Sequence, residues 1–380
     1  MFTKFFKINI LSFIILLSIA LSLLNFNVLA SDKLDLQLNK KDSNELSQLL
    51  KNIQDKDKQK PISQKLVKNI NNSNELNSDQ ADLKIKFNLK DRKVNLSKQN
   101  DDISISIPEN SQINSVDIVD NKIVYSGKTS KTDILVESID GGVRQVINIK
   151  SKDAPNFYDF KVELKLDYKI SINTDGSAVV TKPNPNFNKK EVLNLPESID
   201  KSISDIIKSG RIAVLSIAKP WAVDANKKDL KTWYTVEDGN TLRQHIELAN
   251  AAFPVVADPT WCGNQISRVQ WAWRNIYSNT YNWSLEVVPT YCGRFLASDR
   301  WDAWTEVYNL TPRCSRHSGN VCVTIPWNKQ WNTSQYWSMY NQFVCHYSNP
   351  LAQVIKGEWN LEPWRSDVGL YGFYIKNCNP

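Results

Sequence analysis

The sequence predicts a multidomain protein with an all-β, sandwich-like middle domain and a small, disulfide-stapled α+β C-terminal domain. Short alternating segments separated by turn residues fill residues 83–259, which is typical of antiparallel sheets. All six cysteines and 11 of the 13 tryptophans lie beyond residue 260. A length of 380 residues also suits two domains with appendages, at roughly 100–200 residues per domain.

The pattern of residues 1–30 is typical of a secretory signal peptide. Lys4 and Lys7 precede an apolar run over residues 8–24, and a small-x-small site ends at Ala30. The alternative is an uncleaved transmembrane anchor, because the apolar run is close to the length that a bilayer requires. We expect cleavage, which predicts a secreted, extracellular protein, soluble or associated with a cell wall, and not an integral membrane protein.

A polar leader is expected over residues 31–82. Residues 31–80 contain no aromatic residue and are rich in Lys, Asn and Asp. Such a composition cannot bury enough apolar surface to offset chain entropy, so it predicts disorder. Two amphipathic pieces, 46–53 and 62–70, could form transient helices. A propeptide, a spacer across a cell wall and a plain solvated leader all remain open.

Residues 83–259 show the signals of an all-β domain. Residues 103–107 alternate between Ile and Ser, as a half-buried strand does. The Asp140-Gly141-Gly142 sequence separates two apolar runs and predicts a β-hairpin. Residues 231–236 and 241–248 predict a second hairpin. Many short strands at this spacing favour a β-sandwich.

The cysteines of residues 260–380 predict three disulfides in an oxidising compartment. They are Cys262, Cys292, Cys314, Cys322, Cys345 and Cys378. No two of them form a Cys-x-x-Cys pair, so a zinc site is disfavoured and no metal is expected. Cys314 and Cys322 are the first expected pair because they are close in sequence. The full connectivity is otherwise one of 15 possibilities.

The tryptophans of the same region predict an aromatic binding surface, since Trp combines an apolar face with a polar N–H. A structural alternative is that a small disulfide-bonded domain fills its core with Trp. Trp271 and Trp273 are two residues apart and would share one face of a strand. The residues expected to bind are Trp301, Trp304, Trp359, Trp364 and Arg294.

The expected partner is a cell-surface component, a wall glycan or a protein. The net charge of +7 is spread along the chain. Nucleic acid is therefore not expected as a partner. No cofactor motif is present in the sequence, so no cofactor is expected.

Two stretches resemble known sequence families. Residues 219–225 and 253–259, the latter Phe-Pro-Val-Val-Ala-Asp-Pro, resemble a segment of secreted Gram-positive proteins that closes a β-rich region. Residues 359–365, Trp-Asn-Leu-Glu-Pro-Trp-Arg, and the final Cys-Asn-Pro resemble an uncharacterised secreted bacterial domain family. This resemblance implies export and domain limits. The abrupt rise in Cys and Trp content itself predicts a domain boundary between residues 259 and 260. It implies no activity, because the family is itself of unknown function.

An enzymatic alternative centres on His346, since His is the commonest general base near neutral pH. Glu362 or Glu306 could pair with it, and Arg365 could bind an anion. This would make the C-terminal domain a secreted effector, a toxin or a hydrolase. The sequence leaves the enzyme question open and favours a binding module without catalysis.

Overall fold

The computed structural model describes residues 50–51, 61, 63–69, 72–80, 82–108, 113, 115–126, 129–185, 208–277, 280–296, 300–311, 314–317, 321–324, 333–349, 356–376 and 378. These residues all belong to one compact unit, residues 41–380. The predicted signal peptide and most of the predicted leader lie outside the described residues.

The described chain before residue 263 is built from β-strands joined by turns. The first nine strands are β1 (Val67–Asn69), β2 (Asn72–Gln80), β3 (Leu83–Asn88), β4 (Lys93–Lys98), β5 (Asp101–Ser106), β6 (Ser115–Val119), β7 (Lys122–Ser126), β8 (Thr132–Ile139) and β9 (Gly142–Ile149). The next nine are β10 (Phe157–Glu163), β11 (Lys169–Ile172), β12 (Ala178–Pro183), β13 (Arg211–Ile217), β14 (Trp221–Val223), β15 (Thr232–Glu237), β16 (Thr241–Ile246), β17 (Val255–Asp258) and β18 (Thr260–Cys262).

These strands form two antiparallel sheets. The first has eight strands in the order β1-β2-β3-β4-β5-β10-β16-β15. The second has ten, in the order β11-β12-β13-β18-β9-β8-β7-β6, with β14 and β17 paired beside this path. Both predicted hairpins are confirmed, because β8 pairs with β9 and β15 pairs with β16.

Buried side chains join the two sheets face to face. Trp261 packs edge-on against Phe160 of the other sheet, with ring centroids 5.7 Å apart. The hydroxyls of Thr132 and Tyr158 are 3.0 Å apart in the same interior. Phe160, Tyr158 and Trp261 have no exposed surface. The β-rich class predicted from alternation is thus confirmed for this part of the chain.

The prediction of disorder up to residue 82 is wrong for the strands β1 and β2. β2 pairs with β3 from Glu75↔Asn88 to Gln80↔Leu83 and so extends the eight-stranded sheet. Its Leu76 is 2% exposed. A polar segment can be ordered in this way because the neighbouring strand satisfies its backbone hydrogen bonds, a tertiary effect that composition does not contain. Leu50 is also buried, against Val124 and Leu135.

The chain beyond residue 263 combines strands with helices. Its elements are β19 (Ile266–Tyr277), β20 (Thr280–Pro289), a π-helix (Cys292–Leu296), α1 (Arg300–Leu310), β21 (Cys314–His317), β22 (Val321–Thr324), α2 (Thr333–Ser348), β23 (Trp359–Leu361) and α3 (Gly369–Ile375). β19, β20 and β23 form one antiparallel sheet, and β21 pairs with β22. None of the helices in the described residues is long and apolar enough to cross a bilayer.

Helices α1 and α2 pack on the three-stranded sheet through aromatic rings. Phe343 of α2 lies between Trp304 of α1 and Trp359 of β23, at centroid distances of 5.6 and 5.7 Å. The spacing of Met339, Phe343 and Tyr347 predicts a helix over residues 337–347 with these side chains near one face. The structure confirms this face, since all three residues are buried.

Two disulfides are present among the described side chains. Cys262 is bonded to Cys292, and Cys345 is bonded to Cys378. The predicted Cys314–Cys322 pair involves side chains outside the described residues. The backbones of β21 and β22 place Arg316 opposite Cys322.

The β19–β20 hairpin is anchored at its base. The carboxylate of Glu306 on α1 accepts the backbone N–H groups of Gln265 (2.8 Å) and Ile266 (3.2 Å), and it also pairs with Lys98 of β4. On the other strand, the backbone N–H of Thr290 donates to the carbonyl of Gln265 at 3.0 Å. The base of the hairpin is therefore held by the first sheet and by α1 together.

The turn between β8 and β9 also contacts this base closely. Gly141 has a φ of +89°, and a Cβ at that position would lie 2.3 Å from the carbonyl oxygen of Asn264. The Gly141 carbonyl accepts the N–H groups of Gly263 and Asn264 at 3.0 and 2.9 Å. Glycine is required here for both its backbone conformation and the close approach.

Candidate functional site

Two of the four tryptophans predicted to bind a partner are interior. Trp304 and Trp359 have no exposed surface, so the expectation that they bind a partner is corrected: they form the core between the helices and the sheet. Trp364 is half-buried, with the guanidinium carbon of Arg365 4.5 Å from the centre of its ring. The side chain of Trp301 lies outside the described residues.

Arg294 has an intramolecular role. It is half-buried in the π-helix and donates hydrogen bonds to the backbone carbonyls of Lys356, at 2.6 Å, and Gly357. Burial lowers the pKa of its guanidinium. These contacts fix the segment that leads into β23, and the partner-binding role of Arg294 stays a prediction.

His346 is fully buried on α2. Its ring lies nearly parallel to that of Trp359, at an interplanar angle of 7° and a centroid distance of 6.3 Å. A general base must come within hydrogen-bonding reach of its substrate. A ring with no exposed surface does not meet this requirement, so the expectation that His346 is a catalytic base is corrected to a packing role.

Glu362 and Arg365 pair with each other. Gln342 of α2 holds the same loop: its Oε1 accepts the N–H of Glu362 at 2.8 Å, and its Nε2 donates to the Glu362 carbonyl at 3.0 Å. The hydroxyl of Ser338 donates to the Arg365 carbonyl at 2.9 Å. This arrangement fastens the loop after β23 to α2. The Arg365 guanidinium, which is predicted to bind an anion, already binds the carboxylate of Glu362.

A cleft of about 130 Å³ lies between α1 and the edge of β13. Its principal charged side chains are paired with each other. Lys98 binds Glu306, and Lys182 donates to both carboxylate oxygens of Asp101 at 2.7 and 2.6 Å. These ion pairs link neighbouring elements, and the cleft offers little charge to a ligand.

One group of exposed aromatic rings lies at the outer end of the β19–β20 hairpin; other exposed rings are those of Tyr371 and Tyr374 on α3, Phe295 and Trp233. Trp273 and Tyr281 are 47% and 49% exposed, and Trp283 is half-buried. Trp273 is paired with Trp283, and Tyr281 with Asn275. These four residues share one side of the hairpin because side chains alternate along a strand; together we call them the aromatic face.

The aromatic face continues the hydrophobic core outward. On the same side of the hairpin, the pairs Val269↔Val287 and Trp271↔Leu285 are buried under the helices. Trp273 is two residues further along β19, where this cover ends. The spacing of Trp271 and Trp273 predicts their common side, but sequence reasoning missed Tyr281 and the exposure of Trp273.

The rings of the aromatic face have a defined arrangement. Trp273 and Tyr281 are within 14° of parallel, with centroids 6.3 Å apart. Trp283 stands at 63° to Trp273, with centroids 5.2 Å apart. Trp283 also packs against the buried core cluster. One ring thus fixes the face to the core while the other two are presented to solvent.

Charged side chains occupy the opposite side of the hairpin. Arg274 donates to Glu286 at 2.6 Å and to Glu358. Burial opposes the charge of Glu286, but hydrogen bonds from Arg274 and Gln270 outweigh it and lower the pKa of the carboxyl. Burial likewise opposes the charge of Arg274, and the two carboxylates outweigh it and raise its pKa.

The aromatic face can bind by apolar contact and hydrogen bonding, and its four residues include no His, Cys, Asp, Glu or Lys. Within the described residues, no three His, Cys, Asp or Glu side chains converge on a position that could hold a metal ion. The outer end of the hairpin presents exposed aromatic rings beside the exposed amide of Asn275.

Comparison with known proteins relates part of the chain to a family of unknown function. The family model "Protein of unknown function (DUF2599)" matches residues 266–380. No curated protein and no solved structure matches the chain at a significant level. The matched region starts at the first residue of β19 and includes the aromatic face. Residues 266–380 are thus similar to an uncharacterised family, which supports the resemblance found at the C-terminus.

Proposed function

We propose that this protein is an exported, non-enzymatic binding module whose C-terminal domain holds a partner at the cell surface through the aromatic face. The partner is a cell-surface component, a wall glycan or a protein. In this proposal residues 1–30 are a signal peptide of a Gram-positive bacterium, and residues 83–259 form a β domain that carries the binding domain, residues 260–380.

One observation carries the proposal: Trp273 and Tyr281 leave about half of their surface exposed on a hairpin that is otherwise well anchored. Exposed Trp and Tyr rings held close together offer a surface suited to contact with a partner, since each combines an apolar face with a polar group. Trp and Tyr are also enriched among the residues that dominate binding energies. Glu306 and the Cys262–Cys292 disulfide hold the hairpin base, so the rings lose little freedom on binding.

The test is retention of the full-length exported protein on envelopes of its source cells. Trp273→Ala removes the more central exposed ring, and a binding hot spot costs about 2 kcal/mol, or roughly a 30-fold loss of affinity. Tyr281→Ala should act in the same direction. Circular dichroism would verify that each variant is folded.

The matched control is Trp233→Ala. Trp233 is 40% exposed, but it lies on β15 and stacks on His245 with centroids 5.0 Å apart. Its removal should leave retention unchanged. Equal retention of the Trp273, Tyr281 and Trp233 variants would refute the proposed function.

A further inference from the structure

We infer that the ligand of the aromatic face is an uncharged saccharide. The inference rests on the proposed function and narrows its three partner classes to one. Four side chains make the face: the rings of Trp273, Tyr281 and Trp283 and the amide of Asn275, all uncharged at neutral pH.

The size of the face favours sugar rings over a folded protein. A Trp or Tyr side chain contributes roughly 150–250 Å² of surface, so the exposed halves of Trp273 and Tyr281 together offer about 200 Å². A stable protein–protein interface needs about 800 Å² on each partner. The exposed area of Trp273 and Tyr281 is therefore large enough for one or two pyranose rings and too small by itself for a stable protein interface.

The chemistry of the face also fits a sugar. A pyranose presents a face of C–H groups, which packs on an aromatic ring, and a rim of hydroxyls, which need hydrogen-bonding partners. The nearly parallel rings of Trp273 and Tyr281 can receive the apolar face. The exposed amide of Asn275, paired with Tyr281 across the hairpin, can donate to hydroxyls and accept from them.

Charge argues against an ionic ligand at this place. The hairpin's charged residues, Arg268, Arg274 and Glu286, lie on the opposite side, where Arg274 binds both Glu286 and Glu358. An anionic or cationic ligand on the aromatic face would therefore find no opposite charge among the four side chains of that face. Binding of an uncharged ligand is also independent of salt, because there is no charge interaction to screen.

The experiment treats the envelopes of the source cells before the full-length protein is added. One portion is oxidised with periodate, which cleaves the vicinal diols of sugars, one is digested with protease, and one is untreated. We expect retention of the wild-type protein to fall at least tenfold, to the level of Trp273→Ala on untreated envelopes, either after periodate or, for sugars without vicinal diols, in the presence of soluble oligosaccharides released from the envelopes. We expect Trp233→Ala to follow the wild type throughout. Retention on untreated envelopes should be the same at roughly 0.05 M and 1 M salt.

Retention that survives periodate and is also not competed by soluble oligosaccharides released from the envelopes would overturn the inference; the competition is needed because a 1,4-linked N-acetylhexosamine has no vicinal diol. Retention that is lost at high salt would also overturn it. If protease alone removed retention while Trp273→Ala remained defective, the partner would be a protein: the proposed function would stand and the saccharide would be excluded. Absence of any retention on untreated envelopes would instead refute the proposed function itself.

Discussion

The disulfide between Cys345 and Cys378 closes a loop of 33 residues that ties α2 to the end of the chain. Both sulfurs are buried against Phe373 of α3. The loop-entropy relation gives about 3.7 kcal/mol of stability for a loop of this length at 25 °C. We therefore expect the double variant Cys345→Ala/Cys378→Ala to lower the free energy of unfolding by about 3–4 kcal/mol.

Guanidinium unfolding followed by tryptophan fluorescence measures this loss, because 11 of the 13 tryptophans lie beyond residue 260. The comparison variant is Cys262→Ala/Cys292→Ala, whose loop of 30 residues predicts nearly the same entropic cost. A loss below about 1 kcal/mol for Cys345→Ala/Cys378→Ala would show that packing of α3 suffices without the bond. That result would refute the argument that the disulfide staples this end of the chain.

Three further predictions concern the turn between β8 and β9, the β19–β20 hairpin and the core. Gly141→Ala should destabilise the protein more than Gly239→Ala in thermal unfolding. Both glycines have positive φ, which costs another residue roughly 1–2 kcal/mol, but only at Gly141 would the added Cβ clash with the Asn264 carbonyl; equal losses would exclude that clash. Because the pKa of Glu286 is lowered from 4.5 on folding, its stabilising effect should be complete above that pH and disappear as pH falls through the lower folded value. Glu286→Gln should flatten this acid dependence of the unfolding midpoint, and an unchanged profile would contradict the assignment. Trp359→Ala should cost about 3–5 kcal/mol of unfolding free energy because its ring is fully buried, and a loss under 1 kcal/mol would contradict its place in the core.

The strands of the β-rich region could be predicted because their signals are local. The Asp140-Gly141-Gly142 turn and the alternating runs beside it predict the β8–β9 hairpin that the structure contains. Strand β2 could not be predicted in this way. Its polar sequence is ordered by pairing with β3, and the stabilising hydrogen bonds belong to the neighbouring strand as much as to β2 itself.

The candidate site could be predicted only in part. The two-residue spacing of Trp271 and Trp273 correctly indicates one side of a strand. It does not say that helices cover Trp271 and stop short of Trp273, because that depends on where α1 and α2 pack. Trp304 and Trp359 are wrongly predicted to be exposed binding residues for the same reason: the sequence does not show where the helices pack. Their rings fill the space beneath those helices.

The error at His346 has a different physical origin. A histidine beside a cysteine on an amphipathic helix is compatible with either a reactive base or a buried ring. The structure buries the imidazole against the indole of Trp359, where it packs as an aromatic side chain. Burial of this kind depends on strand β23, which is distant in sequence, so no local pattern near residue 346 indicates it.

Mapping of tryptophan oxidation by mass spectrometry, with and without envelopes, tests the central claim most directly. Trp273 is 47% exposed, whereas Trp304 and Trp359 are fully buried. We expect Trp273 to be oxidised much faster than the other two in the free protein and to be protected in the bound protein. Oxidation of Trp273 at the same rate in the free and the bound protein would contradict the account.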